Sequence, residues 1–148
     1  MIGILLVGHA QIGREMIHAV EHVLGPQPCL ASVDTGPEQN LQAMRKALDQ
    51  AIRLVDSGHG VLILIDIFGG TPCNLVLEAC TGRGKIRVVS GYNLPLLIKA
   101  LSLRANETDL DTLARKAIAS GKRYMSMTGV GHDEITADPS SGERDSNA

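Results

Sequence analysis

Val61-Leu62-Ile63-Leu64-Ile65-Asp66-Ile67-Phe68-Gly69-Gly70-Thr71-Pro72-Cys73-Asn74 is the stretch on which the fold turns. Its first five residues are apolar at every position, the pattern of a strand buried on both faces rather than one with a wet side. An aspartate and two glycines follow. Thr71 suits a helix N-cap and Pro72 the first helical position, so a helix is expected from Pro72 to about Cys80. A doubly buried strand that turns through glycines into a helix is half of a βαβ unit, and such units build a parallel sheet with helices on its faces.

The same alternation extends both ways along the chain. Ile2–Val7 is a second continuous apolar run, and Ile12, Met16, Ala19, Val20, Val23 and Leu24 then recur at helical spacing until Gly25-Pro26. A weaker strand at 29–33 precedes a helix from about Glu38 to Asp56, with Leu41, Met44, Leu48, Ile52 and Val55 on one face. Beyond the central stretch come a strand at Ile86–Val89 and a helix at Leu94–Leu103. A helix capped by Thr108, with Asp111 three residues on, and a last strand at Arg123–Met127 complete the series. The expected architecture is three-layer α/β/α: a mostly parallel twisted sheet of about four parallel strands plus a C-terminal antiparallel edge strand.

Composition bounds the function. The chain has 148 residues, 44% hydrophobic, 20% charged and 2% aromatic, with a formal net charge of −2. A general nucleic-acid binder would carry a basic excess, and Phe68, Tyr92 and Tyr124 are too few to stack bases. No apolar run approaches the roughly 20 residues of a membrane span, and the apolar N-terminus lacks the basic flank and small-residue cleavage site of a secretory signal. Cysteines at 29, 73 and 80 are odd in number and lack paired-ligand spacing, as in a reducing compartment. A soluble, cytoplasmic protein is expected. The last twenty residues, 129–148, hold five acids, one arginine and four hydrophobic residues. They are read as a disordered acidic tail, which leaves a domain of residues 1–128 with 13 basic and 11 acidic groups.

In parallel sheets of this kind ligands sit beyond the carboxyl ends of the strands, near the point where strand order reverses. Four segments fall there: Gly8-His9-Ala10, Asp34-Thr35-Gly36, Asp66 to Thr71, and Ser90-Gly91-Tyr92-Asn93. His9 follows the first strand and Asp66 ends the third, so the two side chains are expected to meet. A carboxylate on one ring nitrogen fixes the tautomer and frees the other nitrogen as a nucleophile. The bare amides of Gly69 and Gly70, with Thr71 at a helix start, form an anion cradle. Histidine, orienting carboxylate and cradle together suggest a phosphoryl carrier.

The same edge offers a rival. Gly8-x-Ala10-x-x-Gly13 nearly matches the G-x-G-x-x-G dinucleotide fingerprint, and Asp34 lies where a ribose-binding acid belongs. Ala10 replaces the glycine that admits the pyrophosphate, which makes this reading the alternative. Glu15, His18 and His22 share a helix face at metal-ligand spacing, but that face opposes the apolar stripe and is read as solvated. Cys73 is read as a core thiol, His59 as part of a turn, and His132 as part of the tail.

Strand–Gly8-His9, the block Leu64 to Asn74 and the block Ser90-Gly91-Tyr92-Asn93-Leu94-Pro95-Leu96-Leu97 resemble the IIA component of the mannose-family sugar phosphotransferase system, over about residues 1–128. That resemblance implies that His9 accepts a phosphoryl group from phospho-HPr and passes it to a histidine on a IIB protein. Asp66 would hold the far ring nitrogen, and Gly69, Gly70 and Thr71 the phosphoryl oxygens. Transfer between imidazoles would need no metal and no cofactor. A homodimer exchanging the edge strand Arg123–Met127 is also implied. Ala10 and Tyr92 depart from the family, which often has glycine at the first position and a smaller apolar residue at the second. The chain is expected to lack the IIB domain that many members carry. It would therefore serve a separate IIB protein, or act as a regulatory phospho-acceptor.

Overall fold

The computed structural model describes residues 1–37, 40–130 and 134–135. Strand β1 (Gly3–His9) leads through helix α1 (Ile12–Leu24) to β2 (Leu30–Thr35), and α2 (Leu41–Val55) leads to β3 (Val61–Ile65). Then follow α3 (Gly70–Cys80), β4 (Ile86–Ser90), α4 (Leu94–Leu103), α5 (Leu110–Arg123) and the short strands β5 (Met127–Thr128) and β6 (Glu134–Ile135). Four strands form one sheet in the order β2-β1-β3-β4, with every neighbouring pair parallel.

Alternation along the two inner strands divides the core. Ile4 and Leu6 of β1 with Leu62 and Leu64 of β3 pack against α1, α4 and α5. Leu5 and Val7 with Val61, Ile63 and Ile65 pack against α2 and α3. Helices on both faces leave no wet side for these strands, which explains their uninterrupted apolar runs. At the sheet's edge β4 is only partly covered, with Ile86, Val88 and Val89 half-buried.

Three details differ from the sequence expectation. Asp109, not Thr108, caps α5, because its carboxylate reaches both the Thr112 amide at 2.9 Å and the Thr112 hydroxyl at 2.6 Å. Helix α3 starts at Gly70 behind Gly69, without a side-chain cap, so Thr71 lies inside the first turn instead of capping it. The edge strand expected at Arg123–Met127 is not in the sheet. Helix α5 runs on through buried Ser120 and Gly121 to Arg123, while Met127–Thr128 pairs antiparallel with Glu134–Ile135. Gly121 sits under Leu96, and its carbonyl accepts from the Asn93 amide at 2.9 Å; this packing carries the helix past a Ser-Gly pair. Helix α2 is Leu41–Val55, and the expected start at Glu38 lies outside the described residues. Most of the expected acidic tail, including His132, does so too.

Candidate functional site

The strand order reverses between β1 and β3, and the register brings their carboxyl ends level: Val7 pairs with Ile65, so His9 and Asp66 emerge side by side. Asp66 Oδ2 accepts from the His9 backbone amide at 2.9 Å and lies 3.0 Å from His9 Nδ1. Its Oδ1 accepts from the Ile67 amide at 2.8 Å. The ring is thus held at both its backbone and its near nitrogen by one carboxylate. The His9 side chain is 58% exposed against 13% for Asp66, which leaves Nε2 on the open side.

Gly8 makes this approach possible. A Cβ there would stand 2.9 Å from Asp66 Cγ, so the carboxylate lies directly over a bare Cα. The turn behind it is anchored as well: the Thr35 hydroxyl donates to the Gly8 carbonyl at 2.9 Å, and the Ala10 amide donates to the Thr35 carbonyl at 2.9 Å. Ala10 itself has φ +48°, a left-handed conformation that costs an alanine more than a glycine.

Burial pushes the Asp66 carboxyl upward. Hydrogen bonds from the His9 amide, the His9 ring and the Ile67 amide, with the charge on His9, outweigh it and hold the carboxyl below its ordinary value of 3.8. Because the folded value lies below the unfolded one, the interaction contributes stability that is present above pH 3.8 and lost as pH falls through the depressed value.

Beyond Asp66, the chain passes through exposed Ile67 and Phe68 to Gly69 (φ +113°) and Gly70 (φ +76°), conformations that side chains disfavour. Gly69, Gly70 and Thr71 are exposed on the same edge, in the loop and first turn that follow Asp66. None of them hydrogen-bonds His9 among the described residues. With no side-chain cap, the first amides of α3 are open to an anion, and the helix dipole favours one there.

The remaining sequence candidates do not join this site. Asp34 is paired with Arg14 at 3.1 Å. The near-fingerprint loop spends Gly8 on admitting Asp66, and Gly13 packs on Ser32 and Leu6, so the dinucleotide alternative finds no support in the geometry. His18 lies 3.4 Å from Glu15 on an exposed helix face, and the described residues hold no cluster of metal-ligating side chains. Cys73 is buried in the core, and His59 lies beside the N-terminal amine and Ser57. One residue that the sequence reading did not use is Arg104, buried in the opposite end of the sheet; its partners are far away in sequence and left no local signal.

Neither of two surface clefts, one beside β2 lined by Arg14, Asp34 and Leu54, the other between α2 and α3, includes His9 or Asp66. The histidine stands on open surface; exposed Ile67 and Phe68 directly follow Asp66 in the chain, and exposed Ile12 opens α1 just after His9. Among the described residues no helix is long and apolar enough to cross a membrane.

Comparison with known proteins points to one family. Residues 3–118 match the family model EIIA-man, described as the fructose IIA component of the phosphotransferase system (PTS). The chain is similar to the PTS mannose-specific EIIAB component of Escherichia coli strain K12, at 26% identity over 121 residues, 82% of this chain and 38% of that protein. It thus spans well under half the length of that relative. Similarity to the PTS fructose-specific EIIA component of Bacillus subtilis strain 168 is 29% over 127 residues, covering 86% of this chain and 83% of the other. Among solved structures, the phosphotransferase system component EIIA from Streptococcus agalactiae superposes with a TM-score of 0.76 at 27% identity, covering 86% of this chain and 97% of that one.

Proposed function

The chain belongs to the EIIA-man family of PTS components, and from that premise we propose that it is a phosphocarrier whose acceptor is His9. The observation that carries the reading is the 3.0 Å contact between His9 Nδ1 and Asp66, with the other ring nitrogen left open. In the neutral ring the carboxylate keeps the proton on Nδ1, so the Nε2 lone pair is free to attack. The phosphorus–nitrogen bond to the donor imidazole, on phospho-HPr, breaks as the bond to Nε2 forms in line. The electron pair returns to the donor nitrogen, and Asp66 stabilises the positive charge that develops on the His9 ring. Such a transfer demands positioning and charge stabilisation more than covalent assistance. The open amides at Gly69 and Gly70, with the Thr71 hydroxyl, are our proposed holders of the phosphoryl oxygens. The reverse geometry passes the group to a histidine of a IIB protein.

The open setting supports a macromolecular donor and acceptor: Phe68, the only phenylalanine in the chain, is 70% exposed two residues after Asp66, as a docking surface requires. The test is to incubate the protein with phospho-HPr and locate the phosphate by mass spectrometry and 15N NMR. Nε2-phosphohistidine at His9 is expected, and phosphate on another residue would overturn the reading. Asp66→Asn should leave the fold intact and slow transfer about 10- to 100-fold, since the amide no longer enforces the tautomer. The same variant should flatten the acid limb of the stability curve below pH 3.8. Wild-type transfer rates in Asp66→Asn would remove its proposed role.

We place a homodimer in the same proposal. The outer edge of β4 is partly uncovered, and Tyr124, Met125 and Met127 expose apolar surface just beyond α5. Pairing of this segment with a second copy's β4 would cover both. Sedimentation should then give twice the 15.7 kDa chain mass; a monomer at tens of micromolar would refute the pairing.

A further inference from the structure

Among the described residues two buried side-chain polar atoms have no hydrogen-bond partner, Asp34 Oδ1 and the Tyr92 hydroxyl; Asp34 is paired with Arg14 through its other oxygen, whereas Tyr92 has no other polar atom to use. It is 8% exposed, its ring packs within the core that α1, α4 and α5 form on the sheet, and its hydroxyl is buried with no hydrogen-bond partner among the described residues. A buried donor of this kind is costly unless something engages it, and a phenylalanine would fill the same space.

Its surroundings identify what that is. The segment carrying Tyr92 is clamped on both sides. The Gly91 amide donates to the Ile65 carbonyl at 2.9 Å, one residue before Asp66. Asn93 caps α4 by accepting from the Leu96 amide at 3.0 Å and ties to α5 through the Gly121 carbonyl. Asp66 continues the alternation of Leu62 and Leu64, so it leaves β3 toward the face on which Tyr92 packs, over bare Gly8. The carboxylate has one acceptor position to spare: Oδ2 takes the two His9 contacts, and Oδ1 takes only Ile67. Burial, and then the negative charge of Asp66, push the Tyr92 hydroxyl up to about 12, which keeps it a donor at every working pH. No other charged group contributes there, and Arg14, the cation of α1 at this end, is engaged by Asp34.

We infer that Tyr92 is a positioning residue for the phosphoryl-transfer site: its hydroxyl, the unused donor on that face, serves the free acceptor position of the Asp66 carboxylate in the working site and fixes the plane in which Asp66 meets His9. The inference rests on the reading of His9 as acceptor. A carboxylate so fixed enforces the Nδ1–H tautomer; one that can swivel lets the ring populate the Nε2–H tautomer, which has no lone pair to offer at the open nitrogen.

Tyr92→Phe keeps the ring and removes only the hydroxyl. In the unphosphorylated protein, 15N NMR of the His9 ring should show a larger share of the Nε2–H tautomer than in the wild type. The rate constant for transfer from phospho-HPr should fall about fivefold with KM unchanged, because the docking surface is untouched. Wild-type tautomer populations in Tyr92→Phe would overturn the inference, whether or not the rate falls, since a rate loss alone would reflect packing. Failure of the wild type to form phosphohistidine at His9 would overturn the acceptor reading instead. The tautomer measurement needs no phosphate and still decides the link between Tyr92 and Asp66.

Discussion

A His9→Ala protein is expected to take up no acid-labile phosphate from phospho-HPr, a loss of at least about a thousandfold in rate against a fully labelled wild type. The loss will be chemical rather than structural. His9 is 58% exposed, so truncation opens no cavity, and Asp66 keeps its bonds from the residue 9 and Ile67 amides. The variant gives up the ring's hydrogen bond to Asp66, worth about 1 kcal/mol, which leaves the fold intact. Among the described residues no other histidine is held against a carboxylate fixed by backbone amides. His18 also faces a carboxylate, Glu15, but at 3.4 Å, with both side chains about two-thirds exposed and free to rotate. His9 differs in that its partner is itself fixed by two backbone amides. Circular dichroism will establish that the variant is folded; unchanged labelling of the folded variant would sink the assignment.

Arg104→Ala is expected to cost roughly 3–5 kcal/mol of folding stability, read by urea denaturation. The guanidinium is 3% exposed and lies at the amino ends of β1 and β2, opposite the site. One arm donates to the carbonyls of Ile2 and Cys29, each at 3.1 Å, and the other to the Pro28 carbonyl and the Gln27 side chain. Burial pulls its pKa below the ordinary guanidinium range, partly offset by negative charge on Cys29, yet a guanidinium stays charged at neutral pH. Truncation strands these acceptors, including the buried Ile2 carbonyl, with no side chain to replace the donor. Arg104→Lys should recover only part of the loss, because a single ammonium cannot span the fork. A change under about 1 kcal/mol in the alanine variant would mean that water satisfies these carbonyls.

How much of this was legible along the chain depends on how local the physics is. Val61–Ile65 and Ile2–Val7 could be read as strands because burial on both faces writes itself as consecutive apolar residues. His9 and Asp66 could be paired because a parallel sheet brings the ends of β1 and β3 level whatever the intervening sequence. The caps were less legible. Thr108 and Asp109 are both good cap residues, and only the reach of the Asp109 carboxylate to Thr112 decides between them. The segment after Arg123 was least legible, because a two-residue strand has no periodicity of its own and is defined by what it pairs with. Tyr92 departs from the family in sequence alone, but only the packing around it leaves its hydroxyl buried and unpartnered.

By itself the sequence determined the α/β class, the order of the main elements, the family, and the residue types brought to the carboxyl edge of the sheet. Those follow from hydrophobic periodicity and turn chemistry, which act over a few residues. Tertiary structure alone decided which atoms meet: that Asp66 lies over Gly8 and takes Nδ1 of His9, that Tyr92 keeps a spare donor on the same face, and that Arg104 ties two strand starts together. Hydrogen-bond geometry is set within tenths of an ångström between residues as many as 102 positions apart, and no local pattern encodes a distance of that kind.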